Sequence, residues 1–196
     1  MEREVLLTGI GGQGIQLAST ALATAAIDEG REVMVFGSYG ASMRGANSDA
    51  TVVVGDERIA APPTVSTAWS ALVMHHGYWP GVRDRLRPGG LVLVDTSVFR
   101  GEIGRDDLVV VGLDASTMAI ELGAPQTCGM VALGAFAAAS GLVGLESLIA
   151  AVPRLLPPYR TQHAAVNERA LRAGHEAAPA LVAPAWPELV GAEAGS

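Results

Sequence analysis

A chain of 196 residues, 49% of them apolar and only 17% charged, is long enough to bury the core of one sizeable domain. Its net charge of −7 and pI near 5.0 weigh against nucleic acid or an anionic membrane as a partner. The one cysteine, Cys128, excludes internal disulfides and cysteine-held clusters, and a mean hydropathy of +0.33 calls for a large core or for apolar surface covered by partners.

Met1-Glu2-Arg3-Glu4 leads into a strand without a signal-peptide pattern, so cytoplasm is the expected compartment. Val5, Leu6 and Leu7 form a short buried run. Gly9, Gly11 and Gly14 follow at the G-x-G-x-x-G spacing, with Gly12 and Gln13 between them. Ile15, Ala18, Leu22 and Ala25 then recur at helical spacing. The opening is therefore a strand, a glycine turn and a helix whose N-terminal amides suit an anion or a partner's backbone. A dinucleotide is disfavoured. That site needs an acid at the end of the second strand, and here the strand over 32–36 begins with Glu32 and runs into Gly37-Ser38-Tyr39-Gly40.

A polar loop over 37–48 carries Arg44 as its only cation, beside Gly45 and after Tyr39. Strands are predicted over 49–55, 71–74, 91–95 and 108–111, with a short helix over 79–86 stopped by Arg87-Pro88-Gly89-Gly90. A helix over 116–123 takes Ser116 as its cap. The uncharged stretch over 122–145 imitates a membrane span, but Ser140-Gly141 splits it into two short buried helices, the second capped near Gly144 and ended by Pro153. The last helix covers 160–177. The expected architecture is a single Rossmann-like α/β domain over 1–178, a mostly parallel sheet with helices on both faces. A proline- and alanine-rich tail over 179–196 wraps a neighbour or is partly disordered.

Few residues offer chemistry. His75 and His76, adjacent on a strand, would point to opposite faces, and His163 and His175 lie too far apart to share a metal. Cys128 lacks a basic neighbour in sequence and is expected to be a buried, inert thiol. Asp95 ends a strand at the edge where ligands of α/β sheets collect, and serves equally well as a cap for the Thr96-Ser97 turn. Arg44 should lie on the same side of the sheet as the glycine turn, and with it forms a surface suited to a phosphate, a carboxylate or a partner's backbone.

Gly9-Ile10-Gly11-Gly12-Gln13-Gly14 followed by Tyr39-Gly40-Ala41-Ser42-Met43-Arg44-Gly45 resembles the γ subunit of 2-oxoacid:ferredoxin oxidoreductases, the 2-oxoglutarate and 2-ketoisovalerate types most nearly. Leu86-Arg87-Pro88-Gly89-Gly90, Met130-Val131-Ala132-Leu133-Gly134-Ala135 and Asn167-Glu168-Arg169-Ala170-Leu171 extend the resemblance over about 4–177. Ala46, Trp69-Ser70 and Cys128-Gly129 depart from the family's usual residues.

The resemblance implies one subunit of a multi-subunit enzyme that decarboxylates a 2-oxoacid to an acyl-CoA and reduces ferredoxin. Thiamine diphosphate, Mg²⁺ and 4Fe-4S clusters would sit in α, β and δ-type partner chains. Coenzyme A is then the co-substrate, this chain binds no cofactor or metal of its own, and it is inert alone. Gly9, Gly11, Gly12, Gln13, Gly14, Tyr39, Arg44 and Gly45 are the residues expected to face the partner or the coenzyme. The alternatives are a stand-alone nucleotide- or anion-binding regulatory module, or the small subunit of an indolepyruvate-type enzyme.

Overall fold

A computed structural model of the chain describes residues 1–39, 47–59 and 65–189. Six strands form one sheet: β1 (Glu2–Ile10), β2 (Glu32–Tyr39), β3 (Asn47–Gly55), β4 (Ala68–Val73), β5 (Leu86–Asp95) and β6 (Val109–Leu113). Their order is β2-β3-β1-β4-β5-β6. β1, β4, β5 and β6 run parallel, whereas β3 is antiparallel to both β1 and β2. The sheet is mixed because the link between β2 and β3, residues 40–46, is too short for a crossover helix and forces an antiparallel return.

Helices α1 (Ile15–Asp28), α3 (Ala115–Glu121), α4 (Cys128–Ser140), α5 (Leu145–Leu155) and α6 (Ala164–Ala177) share the main core on one face. The other face has a smaller core under the short α2 (Trp79–Arg83), built from Leu6, Ala71, Val73, Trp79 and Val92. All thirteen residues of α4 are buried, since it packs on the sheet on one side and on α6 on the other. A helix enclosed all round is apolar all round, which is why it resembles a membrane span in sequence. No described helix is long and apolar enough to cross a membrane.

Three local readings change. Arg87-Pro88-Gly89-Gly90 lies inside β5 as a bulge: Ala68 pairs Leu86 and Ser70 pairs Leu91, so these four residues of β5 stand against Trp69 alone in β4. Gly89 takes φ +75°, and a Cβ on Gly90 would lie 2.5 Å from the Trp69 carbonyl. Ser116 does not cap α3. Its N-cap is Asp114, and the Ser116 hydroxyl donates to Asp95 Oδ2. Pro153 lies within α5, which ends at Leu155.

The proline-rich segment binds its own chain over the described part. Leu181, Ala183 and Ala185 amides donate to the carbonyls of Ala138, Ala139 and Ser140, supplying the acceptors at the end of α4 with partners. Trp186, 3% exposed, donates its indole N–H to Leu142 O at 3.1 Å and lies under the Arg31 guanidinium, 3.9 Å from the ring centre. Trp186→Ala should cost about 3–5 kcal/mol of stability, read as a lower urea midpoint at unchanged slope. A midpoint within error of wild type would show that the segment adds nothing to the fold.

Candidate functional site

The glycine turn is set by a buried strand that must become a helix in four residues. Gly12 and Gly14 adopt φ +108° and +77°, which a residue with a Cβ rarely tolerates. Gly14 is the N-cap of α1 and supplies no side chain to its free amides. Gln13 braces the turn: its Oε1 accepts from Ile10 N at 2.8 Å, and its Nε2 donates to Met74 O at 2.9 Å. Its amide thus ties the turn to the end of β4, and Gln13 shapes the surface from behind. Gly9 has no room for a Cβ, which would stand 2.5 Å from Gln13 Oε1.

The N-terminus of α4 meets the turn from the side. Gly129 N donates to Gln13 O at 3.1 Å, and a Cβ on Gly129 would lie 2.5 Å from that oxygen. This gives the Cys128-Gly129 departure a physical reason, because only glycine lets α4 approach so closely. The Cys128 thiol points at the same carbonyl, and burial first, then the Asp95 charge, pushes its pKa up. It stays protonated and unreactive at neutral pH. Asp95 is fully buried, accepting from Ser97 N with one oxygen and from Ser116 N with the other, so it joins the end of β5 to the start of α3.

Beside the turn opens a cleft of about 640 Å³. Gly11, Gly12, Gly14, Gln16 and Ser48 form one wall; Gln126 and Thr127 form the floor; Leu156, Arg160, His163 and Asn167 form the far wall. Thr127, the N-cap of α4, gives no side-chain cap either, but the first amides of α4 are taken by Pro125 O and Gln13 O, so the start of α1 is the helix end that directs partial positive charge here. Arg160 and His163 lie on the 3-10 segment Pro158–His163, and buried Asn167 holds its end by donating to His163 O at 2.8 Å. Arg160 sits 5.5 Å from the ring centre of the exposed Tyr159. The site can hold an anionic group.

The strand register places Gly9 and Tyr39 at one edge of the sheet. Gly9 pairs with Ser48, which pairs with Tyr39, so the end of β2 lies two strands from the glycine turn. Arg44 and Gly45 lie outside the described residues. The far wall escaped sequence reading because Arg160 and His163 are some 150 positions from the turn; Arg160 ahead of a helix that holds a buried Asn167 was the available signal. His75 and His76 do not point to opposite faces: both lie beyond the end of β4, where alternation ceases, and their rings stack with centres 5.0 Å apart. Among the described residues no group of three metal-ligating side chains forms.

Fold and cleft together define a Rossmann-like α/β unit with a cleft beside its glycine turn. The chain belongs to the pyruvate ferredoxin/flavodoxin oxidoreductase family, whose model matches residues 4–177. A 2-oxoglutarate synthase subunit KorC from Methanocaldococcus jannaschii is 30% identical over 92% of this chain and 96% of that one. The common γ subunit of the Thermococcus kodakarensis pyruvate/ketoisovalerate oxidoreductases is 33% identical over 89% and 94%. The crystal structure of a keto/oxoacid ferredoxin oxidoreductase γ subunit from Geobacter sulfurreducens superposes with a TM-score of 0.74 at 26% identity, covering 90% of this chain and 95% of that one.

Proposed function

We propose that this chain is the γ subunit of a multi-subunit 2-oxoacid:ferredoxin oxidoreductase, which converts a 2-oxoacid to an acyl-CoA and passes electrons to ferredoxin. The observation that carries the reading is the cleft in which the start of α1, Arg160 and His163 converge beside the glycine turn. Thiamine diphosphate, Mg²⁺ and 4Fe-4S clusters belong to α, β and δ-type partners in this reading, and the chain is inert alone. Its own part is to complete the complex and to receive an anionic portion of coenzyme A. The cleft fits the phosphate portion of that group, with backbone amides at the start of α1 and the Arg160 guanidinium among its lining. No observation favours the stand-alone nucleotide module.

Tagging the chain at native expression level tests the reading directly. Larger chains should co-purify with iron, sulfide and thiamine diphosphate, and the complex should reduce a viologen dye with one 2-oxoacid and coenzyme A. Elution of the chain alone would overturn the assignment. In the intact complex, Arg160→Ala should raise the KM for coenzyme A about tenfold with kcat within about twofold, the loss of one charge-assisted contact. Arg44→Ala should act in the same direction, and unchanged kinetics in both variants would remove coenzyme A from this chain.

A further inference from the structure

At the opposite edge of the sheet, where the parallel strands begin, two more arginines converge. The bulge of β5 carries Arg87 across to β1, where it forms an ion pair with Glu4. Glu4 is 8% exposed and has a second duty, accepting from Trp69 N at 3.2 Å. Arg3 stands on the buried Trp69 ring, 4.8 Å from its centre, and its Nε donates to Ala185 O at 2.6 Å. Glu4 thus pairs with Arg87, while Arg3 feels its charge without forming an ion pair with it. Partial burial, then the Arg87 charge, pulls the Arg3 pKa below its ordinary value, with Glu4 offsetting part of this. Among the described residues, Nε is the one donor of Arg3 that has a hydrogen-bond partner.

These residues open on a second cavity of about 400 Å³, with Val109, Val182 and Pro184 completing its walls. We propose that this cavity is an oxyanion site, distinct from the glycine-turn cleft, which takes a carboxylate or phosphate group on the Arg3 guanidinium. The chemistry favours that class. A guanidinium fork matches two oxygens of such a group, and the Trp69 ring lies against the Arg3 guanidinium. The excess positive charge exists in a chain of net charge −7, so general attraction of anions to the surface does not account for it. The strap sets the geometry, since Ala185 fixes the guanidinium through Nε and leaves its outer edge toward the cavity.

The test titrates the full-length chain with inorganic phosphate and with succinate at constant ionic strength made up with chloride, following thermal midpoint and tryptophan fluorescence. Wild type should respond to at least one probe beyond chloride, and Arg3→Gln should weaken that response at least about tenfold in apparent Kd. Arg3→Lys, which keeps the charge without the fork, should fall between them and guards against misfolding of the first variant. Arg154→Gln, whose guanidinium pairs with Asp28 away from both cavities, should respond as wild type does. A stronger response to phosphate assigns a phosphoryl ligand, and a stronger one to succinate assigns a carboxylate. Equal responses in wild type and Arg3→Gln, no response beyond chloride, or an equal loss in Arg154→Gln would each overturn the proposal.

Discussion

Gly174→Ala should destabilise the chain by about 3 kcal/mol and lower the urea midpoint accordingly, the cost of forcing a methyl group into a packed contact. A Cβ built on Gly174 would lie 1.9 Å from the Val131 carbonyl oxygen of α4 and 3.1 Å from Ala135 N. The contact is reciprocal, for a Cβ on Gly134 would lie 2.0 Å from the Leu171 carbonyl oxygen of α6. Both obstacles are helix backbone, so no side-chain rotation relieves them. The helices would have to separate by more than about 1 Å, loosening the contacts of Leu133 and Leu171, both fully buried.

The effect reaches the cleft, because α6 begins at Ala164 and holds His163 and Asn167 against the glycine turn. Gly81→Ala is the matched control. It lies in α2 with nothing within 4 Å of the added atom and an ordinary φ, so it should stay within about 0.5 kcal/mol of wild type. Equal midpoints for Gly174→Ala and Gly81→Ala would refute the close-packing account.

What the sequence disclosed, and what it withheld, divides along chain distance. The run Val5 to Leu7, the turn through Gly14 and the helix after it are local, each step following from its neighbours, and the structure reproduces them. The β-branched run of β3 and the uncharged α4 were also legible, because burial on every side leaves no polar position to mislead. Non-local placements were hidden. Nothing in residues 47–55 says that β3 inserts between β1 and β2, and nothing near Arg160 says that it faces Gly12. The bulge in β5 read as a helix stop because Pro and Gly mark both, and the difference lies in the Trp69 carbonyl that Gly90 must clear. Ser116 looked like a cap by position, yet the buried Asp95 carboxylate took its hydroxyl. Gln13 was expected on the presenting surface, but both ends of its amide turn inward.

That last difference gives a prediction with a pH signature. Gln13→Glu preserves shape and keeps an acceptor for Ile10 N, but it replaces the Nε2 donor by an oxygen facing the Met74 carbonyl at about the same 2.9 Å. Two acceptors in contact are repulsive, and the ionised variant should lose about 2–3 kcal/mol of stability near neutral pH. A proton restores the missing donor, so the folded state raises the pKa of the introduced carboxyl above its unfolded value of about 4.3. The sign follows from linkage: the folded variant holds its proton more tightly than the unfolded chain, so its stability relative to wild type is highest at low pH. The deficit should shrink as pH falls through the raised folded pKa toward the unfolded one, and Gln13→Ala, which loses both bonds without gaining a titrating group, should show no such recovery. A deficit for Gln13→Glu that stays constant as pH falls would show that the Met74 contact does not set the turn.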